Sequence, residues 1–278
     1  MVTACSVADH AYLPFVRIYL DHNATTPLRD EVVRDMTDVL RDGYGNPSSG
    51  HAEGAAARAE VERARARVAA LLRVGPEEVI FTAGATESNN AVLRSLAGGG
   101  PGHLVTTRVE HPSIVAPAEA LEAEGWRVTR VAVDAEGRVD PATVADALDD
   151  ATRLVSILWA NNETGVIQPL EELAEVVKAR GVLLHVDATQ ALGKHPVHLD
   201  QLPVDLLSAS AHKMNGPKGV GCLVVRGEDL APLVRGGPQE RGRRGGTENV
   251  AGIVGFGTAC ELARSELSQR VAHFGSLR

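Results

Sequence analysis

The 278 residues carry 44% hydrophobic and 23% charged side chains, which excludes a disordered chain and allows one large domain or two modest ones with a sizeable core. A net charge of −8 excludes a general nucleic-acid grip, which needs a basic face. Aromatics are only 3%, so the core must rest on Ala, Val and Leu, and three cysteines (Cys5, Cys222, Cys260) are too few and too scattered for a disulfide framework or a CxxC metal site.

The chain opens on a weakly patterned N-terminal arm over residues 1–18, without the basic flank and apolar run of a leader. Helical spacing begins at residues 54–72, where Val61, Ala64, Val68, Leu71 and Leu72 share one face. Strands and helices then alternate. Residues 79–83 read as a strand, and Gly84-Ala-Thr-Glu-Ser88 opens a helix. Residues 103–109 form the next strand, with a helix from Pro112, and 127–133 the third. Asp140-Pro141 supplies an N-cap and a first-turn proline for another helix. After Gly98-Gly-Gly-Pro-Gly102, a loop and not a domain linker, come strands 153–160, 182–186, 205–209 and 219–225, with a helix over 170–179 stopped by Gly181. Cys222 falls in a strand and Cys260 in an amphipathic helix, so both are expected to be buried structural thiols. No run of about eighteen apolar residues occurs, and the expected compartment is a reducing cytoplasm with no membrane contact. Ten histidines show no HExxH-type spacing, so no metal site is expected.

Near-continuous apolar runs separated by helices predict an α/β fold with a mostly parallel, seven-stranded sheet between helices. Ligands bind such sheets at the carboxyl ends of strands, and Thr86, His111, Asn162, Asp187, Gln190, Ser210, His212 and Lys213 all follow strand ends. Nucleotide loops fail: residues 188–195 lack the first glycine and final Ser/Thr of a P-loop, and Gly43-Tyr-Gly45 lacks the third glycine of a dinucleotide fingerprint. Lys213, in Asp205-Leu-Leu-Ser-Ala-Ser-Ala-His-Lys-Met-Asn-Gly-Pro-Lys218, and Asp187, in His185-Val-Asp-Ala-Thr-Gln190, suit pyridoxal 5'-phosphate (PLP). The lysine would form a Schiff base, and the carboxylate would pair with the pyridinium nitrogen to keep the ring an electron sink. A surface lysine and a helix-capping aspartate give a plainer account of the same two residues. Gly84-Ala-Thr-Glu-Ser88 places backbone N–H groups and a hydroxyl where phosphate binds, though a capping box has the same geometry. Ser210 and His212 could complete that cradle. His111 suits proton shuttling over a ring, or a simple His-Pro turn. Gln190 suits the phenolic oxygen, and Asn162 that oxygen or a substrate carboxylate.

Eight motifs follow one another in order: Tyr19-Leu-Asp-His-Asn-Ala-Thr-Thr-Pro27, Tyr44-Gly-Asn-Pro-Ser-Ser49, Phe81-Thr-Ala-Gly-Ala-Thr-Glu-Ser88, Val109-Glu-His-Pro112, Trp159-Ala-Asn-Asn-Glu-Thr-Gly165, His185-Val-Asp-Ala-Thr-Gln190, His212-Lys-Met-Asn-Gly-Pro-Lys-Gly219 and Glu240-Arg-Gly-Arg-Arg-Gly-Gly-Thr-Glu-Asn249. Over about residues 17–265 the chain closely resembles the cysteine desulfurases of the NifS/IscS type, class V of the fold-type I PLP enzymes. The resemblance implies that Lys213 anchors PLP, that Asp187, Gln190, His111 and Asn162 contact its ring or substituents, and that Ala85, Thr86, Ser210 and His212 hold its phosphate. It implies Lys213 and His111 as catalytic, and Thr247 as reaching the phosphate of a twofold mate in a homodimer. The arginines Arg235, Arg241, Arg243 and Arg244 are then better read as a dimer-interface loop than as a DNA patch. The implied reaction takes L-cysteine, or a related amino acid, to L-alanine and passes sulfur to a thiol as persulfide, with a sulfur-acceptor protein as partner, as in iron–sulfur cluster biogenesis.

In that family a small C-terminal domain carries the persulfide cysteine and a carboxylate-binding arginine. No cysteine here matches the persulfide position, and Leu262, Leu267, Val271 and Phe274 keep a helical pattern nearly to the last residue. The expected organisation is the arm 1–18, a PLP-binding large domain 19–262, and residues 263–278 starting the connection to a small domain that is largely absent. Two other functions fit the residues: a class V aminotransferase or C–S lyase needing no protein thiol, and a PLP-bearing non-catalytic scaffold for sulfur-relay partners.

Overall fold

A computed structural model describes residues 18–97, 99–227 and 230–277; all but the last residue of the N-terminal arm, including Cys5, and Gly98 of the glycine loop lie outside them. Seven strands form one sheet: β1 (Val79–Thr82), β2 (His103–Thr107), β3 (Arg127–Val131), β4 (Thr152–Leu158), β5 (Leu183–Asp187), β6 (Leu206–Ser210) and β7 (Gly221–Val225), in the order β1-β7-β6-β5-β4-β2-β3. β6, β5, β4, β2 and β3 pair in parallel. β7 runs antiparallel to both β6 and β1, so every other strand delivers its carboxyl end to one edge and β7 delivers its amino end there. The strands are apolar because both sheet faces are covered: Cys222 and Val224 of β7 join one buried cluster, and Leu223 and Val225 join the other.

Helices α3 (Ala85–Ala97) and α4 (Pro112–Ala123) contribute Val92, Leu93, Ile114 and Leu121 to one face. Helices α2 (Ala52–Leu72), α5 (Pro141–Ala147), α6 (Leu170–Lys178) and α7 (Val250–Leu277) cover the other. Asp140 caps α5 as expected, its carboxylate accepting from the Ala142 N–H. Two elements depart from expectation. Residues 30–42, for which the sequence reading gives no element, form α1 (Asp30–Asp42), whose one fully buried side chain is Val32. The helix holding Cys260 is not amphipathic over its first half: residues 251–260 are buried on every side, between α1, α2 and the sheet, and only the second half has an exposed face. Phe256 lies at that centre, edge-on to Phe81, and its full burial contributes about 2–3 kcal/mol. β2 ends at Thr107, two residues earlier than expected, because the Thr107 hydroxyl turns to bond the Val109 N–H and the Glu110 carboxyl. No helix among the described residues is long and apolar enough to cross a membrane.

Candidate active site

The carboxyl edge of the sheet surrounds a cavity of about 800 Å³, within the range of small-molecule sites. Ala85, Thr86, His111, Asn162, Asp187, Gln190, Ser210, His212 and Lys213 all line it. Thr247 does not; it borders a separate cavity of about 180 Å³ behind Ala83 and Gly219.

One wall is the start of α3. Gly84 has φ +148°, and a Cβ on Gly221 would lie 2.7 Å from the Gly84 Cα and 2.4 Å from the Ala209 carbonyl. Only glycine lets the β1–α3 turn close against the amino end of β7. The anticipated capping box is displaced: the Glu87 carboxylate accepts from the Ala83 N–H at 3.0 Å, one residue ahead of Gly84, and is held there by Arg244. The first N–H groups of α3 therefore face the cavity beside the Ser210 hydroxyl, which suits an anion.

The floor is Asp187, at the end of β5 and 6% exposed. Its carboxylate accepts from the Thr189 N–H at 3.0 Å and the Asn89 amide at 2.7 Å. Two positions back, His185 is fully buried between the Ser156 and Ser208 hydroxyls, both at 2.9 Å, and burial pushes it down to about 4. Glu110, three residues past β2, accepts from the Thr107 hydroxyl and the Leu158 N–H through one oxygen; the other has no partner. Burial, with the Asp187 charge as a smaller contribution, raises this carboxyl to about 8.

The Lys213 amine donates to the carbonyls of Asn23 at 2.5 Å and Ala24 at 2.9 Å, and burial holds it below the ordinary lysine range, against the opposing pull of Asp187 and Asp21. Residues 23–27 form a strap laced to the lysine turn: Thr26 bonds the His212 carbonyl through both its N–H and its hydroxyl, each at 2.9 Å, and its hydroxyl accepts from the Asn215 N–H at 2.7 Å. Gln190 donates to the Asn23 carbonyl at 2.9 Å and accepts from Lys194 at 2.7 Å. Lys194 is lowered to about 8 by burial and by the charge of Lys213. His212, bonded to the Thr25 hydroxyl at 3.2 Å, is also lowered by burial. In the Asn-Asn-Glu-Thr-Gly motif the work divides: Asn161 holds the turn by accepting from the Glu163 and Thr164 N–H groups, while Asn162 lines the cavity. Reading the sequence missed Asn23, Ala24, Asn89, Glu110, Ser113 and Lys194. A signal existed for Asn89, a polar residue at helical spacing with Ala85, Val92 and Leu93.

The arginine loop is held by its own chain. Arg65 grips Glu240 through two bonds of 2.7 and 2.9 Å, and Glu240 also accepts from the Phe81 N–H at 2.8 Å. Arg241 and Arg243 both donate to the Glu77 carbonyl, and Arg244 pairs with Glu87.

The donor set fits PLP: a buried carboxylate on the floor, an amine of reduced basicity opposite, and a helix start lined by hydroxyls. Comparison with known proteins agrees. The aminotransferase class-V family model matches residues 18–274. A cysteine desulfurase of Enterobacter agglomerans is 50% identical over 250 residues, covering 88% of this chain and 62% of that protein. A solved NifS-like protein superposes with a TM-score of 0.92 at 44% identity, over 95% of this chain and 74% of the other. A structure described as SspA in complex with cysteine gives 0.86 at 38% identity, over 87% and 72%. The chain thus spans about 62% of the length of the curated relative first named.

Proposed function

This chain belongs to the aminotransferase class-V family and to its cysteine desulfurases, and from that premise we propose that it is the PLP-holding part of an enzyme that converts L-cysteine to L-alanine and passes sulfur to a thiol. The observation that carries this reading is the convergence of Lys213, Asp187, Gln190 and His111 with the start of α3 on one cavity. The cysteine bound by the SspA relative supports the substrate class.

PLP, when bound, supplies an electron sink for charge developing at the substrate α-carbon. Asp187 would hold the ring nitrogen, Gln190 and Asn162 the phenolic oxygen, and Ala85, Thr86, Ser210 and His212 the phosphate, with Thr247 acting on the mate in a homodimer. Lys213 does two things. Its lowered affinity for protons raises the share of free amine over that of an ordinary lysine, which favours covalent anchoring, and the same amine can move a proton at the α-carbon. The strap carbonyls of Asn23 and Ala24 hold that amine before it is used. Residues 19–262 act as the cofactor-binding domain, and 263–278 as the link toward a smaller one.

The sulfur-accepting thiol is neither Cys222 nor Cys260. Both are fully buried, and burial lifts Cys222 to about 12 and Cys260 well above the ordinary thiol range, so neither offers a thiolate. A second reading, a C–S lyase or aminotransferase that needs no protein thiol, fits the same cavity and is told apart by its products. The test is direct. Purified chain given PLP should turn yellow, and borohydride reduction with peptide mapping should place the label on Lys213 and lose it entirely in Lys213→Ala; label on another lysine defeats the assignment. Alanine formed only with an added thiol acceptor supports desulfuration, whereas pyruvate and ammonia support the lyase.

A further inference from the structure

Between Asp187 and His111 runs a chain of hydrogen bonds whose direction the chemistry fixes at every link. The Asp187 carboxylate only accepts, so the group facing it at 2.7 Å must be the Asn89 NH₂. The same NH₂ lies 2.8 Å from the Ser113 hydroxyl, which must accept from it and is left with its own hydrogen to give. That hydrogen goes to the His111 Nδ1 at 2.7 Å. The Ser113 backbone N–H, which can only donate, reaches the same Nδ1 at 3.1 Å. Nδ1 therefore carries a lone pair, and in the neutral ring the proton sits on Nε2. Asn89 is wholly buried, and its Oδ1 has no partner. Leaving a buried carbonyl oxygen bare is costly, yet the flipped amide would set that oxygen against the carboxylate, which is worse.

We infer that Asn89 and Ser113 are positioning residues that transmit the carboxylate of Asp187 to His111 and lock its imidazole as the Nε2–H tautomer, leaving Nε2–H as the proton-bearing edge for transfer at the site. The inference rests on the proposed chemistry for its purpose, while the tautomer itself is a property of the chain without cofactor. The two can fail separately.

The experiment uses the full 278-residue chain labelled with ¹⁵N-histidine. Long-range ¹H–¹⁵N correlations read each ring's tautomer, and His111→Gln assigns the signals. Wild type should show His111 as a single Nε2–H form. Ser113→Ala keeps the longer backbone bond but loses the hydroxyl, so it should move the Nδ1 resonance part of the way toward the protonated range as a mixture; Asn89→Ala should do so less, and Ser113→Thr should restore the single form. A wild-type ring that is Nδ1–H or mixed, or a folded Ser113→Ala variant with the wild-type pattern, overturns the inference. Should Ser113→Ala not fold, Ser113→Cys, a weak donor of similar size, is read against the same two outcomes. In a second arm, PLP-loaded Ser113→Ala should bind PLP as wild type does but exchange the substrate α-proton with D₂O about 10- to 100-fold more slowly, with Ser113→Thr recovering most of the loss; unchanged exchange counts against the relay. If wild type takes up no PLP, the cofactor reading falls and the tautomer pattern still decides the relay.

Discussion

Two regions of the molecule bury charge, and they do so in opposite ways. At the Arg65–Glu240 pair both charges are answered: Arg65 bonds both carboxylate oxygens and the Val79 carbonyl and stacks 4.8 Å from the Phe81 ring centre, while Glu240 also accepts from the Phe81 N–H. Beneath the cavity, the polar cluster of Asn89, Glu110, His185 and Asp187 leaves Asn89 Oδ1 and Glu110 Oε2 without partners and holds a carboxyl at about 8. A saturated buried pair is architecture, here fixing the loop whose Glu240 and Arg241 take left-handed φ values of 48° and 59°. An undersaturated cluster sacrifices stability in a place where chemistry is done.

Breaking the saturated region should cost most. Glu240→Ala leaves Arg65 buried without its partner and frees the loop, and we expect a loss of about 3–5 kcal/mol in urea unfolding; a loss under about 1 kcal/mol would mean the pair is replaceable by solvent. The undersaturated region should respond with the opposite sign. The Glu110 carboxyl is raised in the folded state, so folding is unpenalised below the ordinary glutamate value near 4.5 and is progressively disfavoured as pH climbs toward about 8. Glu110→Gln should match wild type at pH 4.5 and exceed it at pH 8 by roughly 1–3 kcal/mol. A variant less stable than wild type at pH 8 would show that Glu110 is ionised and paired after all. The smallest effect is expected further along the loop that the pair fixes: Thr247→Ala should weaken PLP retention by about 1 kcal/mol, the worth of one hydrogen bond, and only where sedimentation shows a dimer. An equal loss in a monomer would locate the contact within one chain.

Much of this was legible before any coordinates. The strands announce themselves because both sheet faces are buried, so runs such as 79–83 and 182–184 are almost wholly apolar, and the polar residues His111, Asp187, Ser210 and Lys213 gather at or just past strand ends. What stayed hidden has physical causes only in part. β7 turns back antiparallel on β6 across a connection too short for a crossover helix, a local signal that went unread, whereas its pairing with β1 joins segments far apart in sequence. α1 went unread although Val32, Met36, Val39 and Leu40 recur at helical spacing; the stripe was there to be read. The uniform burial of residues 251–260 was missed because a helix packed on all sides loses the periodicity that would identify it. In the site, Asn23 and Ala24 act through backbone carbonyls, which side-chain reasoning cannot see. Glu110 and Ser113 sat inside or beside a quoted motif but take their meaning from Leu158, Asp187 and Asn89, all distant in sequence. The roles of the legible residues, from Ala85 to Thr247, stand as proposals for the experiments above.

The lacing of the Thr26 hydroxyl to His212 and Asn215 joins groups more than 180 residues apart, and this bears on the order in which the protein is made. The strap is among the first described segments to be synthesised, and its partners come only after six of the seven strands have been made. Such remote contacts form late, after nearer ones have reduced the chain entropy of closing so long a loop. A growing chain that has built most of its sheet still has a lysine turn yet to come, and the carbonyls waiting for Lys213 face water until it does. The pairing of that amine with the strap thus falls late in folding, after six of the seven strands have been made.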